Sequence, residues 1–65
     1  MVTFKLNGHE NGKPAYLAQR RAVGTKITFA SIVFDGREWL LKKLPNGRVD
    51  RFDTAKDAKK EARKG

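Results

Sequence analysis

The sequence predicts a mainly-β fold: a small five-stranded, barrel-like meander, built from an N-terminal hairpin and a three-stranded sheet, with one C-terminal α-helix. Three observations predict it. Turn-forming residues recur at short intervals, at Asn7-Gly8, Asn11-Gly12, Val23-Gly24, Asp35-Gly36 and Pro45-Asn46-Gly47. The segments between them, VTFKL, AYLAQRRA, KITFASIVF, EWLLKKL and RVDRF, have strand length and are rich in β-branched and aromatic side chains. The closing stretch FDTAKDAKKEARKG changes to alanines at helical spacing among lysines and arginines. At 65 residues the chain makes one domain, 1–65. A chain of that length buries only about 60% of the surface its unfolded form exposes, so the core is small.

Taken in order, VTFKL and AYLAQRRA form the N-terminal hairpin, whose Val2, Phe4, Leu6 and Tyr16 are expected to cover one face of the rest. Asp35-Gly36 is the clearest turn signal, because a two-residue type I′ turn needs positive φ at both central positions and Asp-Gly supplies it. Such a turn sets Phe34 opposite Arg37, Ile32 opposite Trp39 and Ala30 opposite Leu41. A two-residue Asn46-Gly47 loop sets Lys43 opposite Asp50 and Leu41 opposite Phe52; a three-residue loop would shift that pairing by one. One face then carries Ala30, Ile32, Phe34, Trp39, Leu41 and Phe52, with Trp39 largely buried. The other carries Ile27, Phe29, Val33, Leu40, Leu44 and Val49, interrupted by Lys42 and Arg51. Both faces are apolar enough to need a cover.

The helix is expected from Thr54, an N-cap with Asp57 in the first turn, where a carboxylate meets the positive end of the helix dipole. Ala55, Ala58 and Ala62 share one narrow face that can lie close on the Trp39–Phe52 side of the sheet. Lys56, Lys59, Lys60, Arg63 and Lys64 occupy the remainder, and Asp57 and Glu61 reduce their charge from +5 to +3 across residues 55–64. The helix is therefore expected to be structural on its alanine side and auxiliary in binding.

Composition narrows the functional classes. The chain has no cysteine, so disulfides and thiolate metal sites are excluded. No window approaches the ~18 apolar residues of a membrane span, and MVTFKLNG does not resemble a targeting segment, so a soluble, cytoplasmic chain is expected. Catalysis needs convergent groups, and few are present. His9 stands alone in the turn-rich NGHENG, and Ser31 lies within a strand with no acid–base partner near it in sequence. Asp50, Asp53, Asp57 and Glu61 are each followed closely by Lys or Arg, as charge-balancing residues are. The glycines form no phosphate-loop pattern. A non-enzymatic protein without cofactor or metal is expected.

The charge is informative. Fifteen Lys and Arg against seven Asp and Glu give +8 at pH 7, which calls for an acidic partner. The cations cluster: QRRAVGTK holds Arg20, Arg21 and Lys26 around one hairpin connection, and LKKLPNGRVDR holds Lys42, Lys43, Arg48 and Arg51 around another. In the register above Lys42 faces Arg51, a like-charge pair that needs solvation or an anion. These seven cations are the candidate phosphate contacts. No base-reading set on a recognition helix is legible, so sequence-tolerant duplex DNA binding is expected, with RNA left open as the ligand. If DNA is the partner, the chain is nucleoid-associated. A different class fits the same size and charge: a small protein-binding module or inhibitor, viral in type, that docks on an acidic or nucleic-acid-binding host protein.

Two resemblances point the same way. At VTFKLNGHE, RAVGTKITF and KDAKKEA the chain resembles the small basic chromatin proteins of archaea, which share an SH3-like hairpin, three-stranded sheet and C-terminal helix. That resemblance implies binding in the minor groove with apolar wedges between base steps, and Val23 matches a wedging valine. Arg21 and Lys26 stand where that family has a tryptophan and a second wedge. The last third, EWLLKKLPNGRVDRFDTAKDAKKEA, is similar to the arm-type DNA-binding domains of tyrosine recombinases through Trp39, Gly47-Arg48, Phe52, Thr54 and Ala58. It implies a sheet in the major groove.

Overall fold

The computed structural model describes residues 1–45 and 47–64, with elements β1 (Val2–Glu10), β2 (Lys13–Ala22), β3 (Thr25–Phe34), β4 (Trp39–Lys43), β5 (Val49–Phe52) and α1 (Ala55–Lys64). The strands form one antiparallel sheet in chain order, β1 to β5, which does not close on itself. This is the mainly-β meander with a C-terminal helix, with one difference in layering. The N-terminal hairpin does not fold over the second face. β2 pairs with β3 from Tyr16↔Ile32 to Ala22↔Thr25, and this in-plane pairing, which satisfies the backbone of both strands, makes the hairpin an extension of the sheet.

Five short sequence signals become different structures. Asn11-Gly12 closes β1–β2 with φ of 52° and 79°, the two positive values of a type I′ turn. Val23-Gly24 closes β2–β3 the same way, at 41° and 77°, although a β-branched residue rarely accepts such a φ. Asn7-Gly8 is no turn: it lies inside β1, where the register slips between Leu6 and His9 and Gly8 takes φ 76°. The slip is a β-bulge.

Asp35-Gly36 does not form a two-residue turn. The loop runs from Asp35 to Glu38, because Asp35 Oδ1 accepts hydrogen bonds from the backbone N–H groups of Arg37 (2.8 Å) and Glu38 (2.6 Å). An aspartate that binds two downstream amides favours this wider loop. Phe34 therefore faces Trp39, and Ile32 faces Leu41. The β4–β5 loop is wider too: Lys43 N–H donates to the Arg48 carbonyl at 2.7 Å and Gly47 N–H to the Lys43 carbonyl at 2.9 Å. Asn46, part of the expected two-residue loop, lies outside the described residues, as does Gly65. Trp39 faces Phe52 and Leu41 faces Asp50. Each slip is by two residues, an even number, so the expected face membership of Ile32, Phe34, Trp39, Leu41 and Phe52 survives.

The core forms on that face. Ala18, Ala30, Ile32 and Leu41 are buried together with Ala58 and Ala62 of α1, and Phe4, Tyr16, Phe29, Trp39 and Phe52 pack partly buried around them. Small residues on both sides let the helix lie close, so Ile32 and Leu41 lose all exposure. Trp39 is half-buried, less than expected, because it stands at the start of β4 beside the open Asp35–Glu38 loop; its ring centroid is 5.1 Å from that of Phe34. Thr54 is the N-cap: its Oγ1 accepts from Asp57 N–H at 3.1 Å and its carbonyl from Ala58 N–H at 3.2 Å.

Candidate nucleic-acid interface

α1 occupies one face of the sheet, and strand alternation decides what the other presents. The registers place Thr3, Lys5, Leu17, Gln19, Arg21, Lys26, Thr28, Ser31, Val33, Leu40, Lys42, Val49 and Arg51 on the helix-free face. A second bulge keeps this consistent. Ala18 pairs with Ala30 but Gln19 with Thr28, so Phe29 is the extra residue, and its carbonyl accepts from Leu44 N–H at 2.9 Å. Beyond the bulge Ile27 pairs with Arg20 on the helix side, which corrects its expected place on the other face. Gln19 Nε2 donates to Thr28 Oγ1 at 3.1 Å across the helix-free side.

Among the described residues no layer covers this face, yet Leu17, Val33 and Leu40 are only half exposed. The pairing explains why. Leu17 has Lys5 as its cross-strand partner, Leu40 has Arg51, and Val33 is paired with Leu40, while Val49, opposite Lys42 on the last strand, stays exposed. A long aliphatic stem beside Leu17 and Leu40 shields each while the charged head stays in water. The expected opposition of Lys42 and Arg51 is not formed, because the wider loop slides them two residues apart into diagonal neighbours.

The candidate cations separate accordingly. Arg21, Lys26, Lys42 and Arg51 share the helix-free face. Arg20 and Lys43 point to the helix side by alternation, where they line a cavity of about 210 Å³ with Phe29, Leu41, Glu61 and Ala62. Arg20 stands 5.5 Å over the Phe29 ring. Arg48 lies in the β4–β5 loop, 3.8 Å from Asp50. Val23 is fully exposed at the tip of the β2–β3 hairpin. Lys5 joins the face without having been singled out from the sequence; its odd position in VTFKL, between apolar Phe4 and Leu6, was the available signal.

Carboxylates gather at one end of the face. Arg51 Nη1 is 3.5 Å from Asp35 and 3.6 Å from Glu38. The Glu38 amide, then the Arg37 amide, hold the Asp35 carboxyl below its ordinary value, helped less by the charges of Arg51 and Arg37 and opposed by desolvation. Glu10 pairs with Lys13 at the same end, where Asn11 Nδ2 donates to the Phe34 carbonyl at 2.9 Å. The end beyond Arg21 and Lys26 holds the Val23-Gly24 turn, and among the described residues no ion pair involves either cation.

His9 is exposed in β1 opposite Pro14, next to Glu10. Among the described residues no helix is long and apolar enough to cross a membrane, and no three His, Cys, Asp or Glu side chains gather to hold a metal ion. No family model matches the chain, and neither does any curated protein or solved structure.

Proposed function

We propose that the protein is a non-enzymatic binder of duplex DNA with little sequence preference, and that the helix-free face of the sheet is the contact surface. One observation carries this reading: on that face Lys5, Lys42 and Arg51 are each paired across strands with an apolar residue, with Arg21 and Lys26 beyond them toward one end. Such a surface offers ammonium and guanidinium groups to phosphates and methyl groups to sugars and base edges. The aromatic rings lie on the helix side or at the Phe29 bulge, which leaves the face without the stacking platform that single strands require. Duplex is therefore favoured over single-stranded nucleic acid. Val23, at the exposed tip, is the candidate apolar contact within a groove. On this reading the protein works in the cytoplasm, associated with the nucleoid.

A salt titration tests it. Neutralising Z phosphates gives log K a slope of about −0.9Z against log salt, and the equivalent of ~4–6 contacts is expected. Binding that is flat with salt, or absent at low salt, overturns the reading. A stoichiometric protein partner captured from nuclease-treated lysate, without retained DNA, would replace it with the protein-docking class.

A further inference from the structure

The β2–β3 hairpin outruns its neighbours. β1 reaches β2 only as far as Val2↔Arg20, and β4 reaches β3 only as far as Ala30↔Lys43. From Arg21 to Lys26 the chain is consequently a two-stranded ribbon with no lateral strand among the described residues, in a molecule 37 Å long and 20 Å across. At the base of this ribbon Arg21 and Lys26 are direct cross-strand partners. Both are exposed, and among the described residues neither has an ion-pair partner. Like charges placed opposite each other on a ribbon destabilise it unless an anion lies between them. Beside them is a shallow cavity of about 130 Å³, lined by Met1, Thr3, Arg21 and Lys26. Thr3 supplies a hydroxyl donor, Arg21 a planar fork of donors that fits two oxygens at once, and Lys26 a compact charge.

We infer that this cavity is a seat for one phosphate group, with Thr3, Arg21 and Lys26 as its ligands. The inference rests on the DNA reading for the phosphate's source, a backbone phosphodiester, but not for the seat itself. A phosphate held there fixes the ribbon on the backbone. Val23 then lies two residues past Arg21, about 7 Å along the strand, and so projects beyond the phosphate toward a groove.

The test has two arms. In the first, without nucleic acid, thermal unfolding is followed in inorganic phosphate against chloride at matched ionic strength. The native chain should gain about 2 °C or more in phosphate, and Arg21→Gln with Lys26→Gln should abolish that gain. The variant should also be at least as stable as the native chain in chloride, because the like-charge pair is gone. In the second arm, the duplex salt slope of the variant should be shallower by about 0.9, the share of one phosphate, whereas Lys13→Gln with Arg37→Gln, near the acidic end, should change it less. A phosphate gain that survives in the variant, or an unchanged slope in a native chain that binds duplex, overturns the seat. A seat intact in the first arm with no duplex binding in the second overturns the DNA reading alone.

Discussion

The Lys59 ammonium stands 4.0 Å from the centre of the Tyr16 ring and 5.5 Å from that of Phe4. Arg63, one helical turn on, stands 5.2 Å from the Phe4 ring. Cations that sequence alone assigns to a solvated helix side thus fasten α1 to the N-terminal hairpin, while the alanines seat it on the central strands.

Lys59→Glu should therefore destabilise the fold by about 1–2 kcal/mol, the loss of two cation–ring contacts. Lys60→Glu makes the same formal charge change at an exposed position and should stay within about 0.5 kcal/mol. Urea unfolding of the two variants decides it. Equal midpoints would show that the ring contacts contribute nothing.

Val23 should show stability and binding moving in opposite directions. A β-branched residue at φ 41° carries a strain that asparagine relieves, so Val23→Asn should stabilise the chain by about 1 kcal/mol. If Val23 makes apolar contact in a groove, the same variant should bind duplex more weakly. Thermal unfolding and a binding titration on one preparation measure both.

Acid should act through the β3–β4 loop. The folded pKa of Asp35 lies below its ordinary 3.8, so the ionised carboxylate favours the folded state. That contribution is fully present above 3.8 and is lost as pH falls through the lower folded value. Asp35→Asn should flatten this part of the stability profile, as read by urea midpoints at pH 5 and at pH 3. An unchanged profile would mean that the loop amides do not discriminate between the two protonation states.

Ala58 leaves no room for a larger side chain, being wholly buried between α1 and the sheet. Ala58→Leu should destabilise by about 1–3 kcal/mol through overpacking, and Ala58→Asp by more, since it buries a charge without a partner. Ala55→Leu, at a half-buried position in the first turn, should change the midpoint much less.

The parts of the fold legible in the sequence are those that local chemistry decides. Thr54 can cap only the helix on its C-terminal side, and Ala55, Ala58 and Ala62 share a face whatever the helix meets. Strand faces were legible because alternation survives a slip by an even number of residues. The slips themselves were not legible. Asp35-Gly36 fits a tight turn by backbone preference alone, but the Asp35 side chain finds two amide donors in the wider loop, and that interaction wins. Val23-Gly24 is a weaker turn signal, yet the paired lengths of β2 and β3 impose the tight turn there. The candidate site was legible as a list of cations and not as a surface. Which side Arg20 shares with Ile27 depends on the Phe29 bulge between β2 and β3, and the contribution of Lys5 depends on the hairpin joining the sheet edge to edge.

The chain-order arrangement of the sheet has a kinetic consequence. Each strand pairs with its neighbour in sequence, so every ladder closes through a short connection and no pairing must await a distant segment. Loop-closure entropy is thus low at each step, and a domain of this topology should fold on the order of milliseconds, faster than barrels of comparable size that join their first and last strands. The long-range event that remains is the arrival of α1, whose alanines reach back to Ile32 on β3 and whose Lys59 reaches Tyr16 on β2. Substitutions at Ala58 should accordingly alter the unfolding rate more than the folding rate, the signature of a contact made after the barrier is crossed.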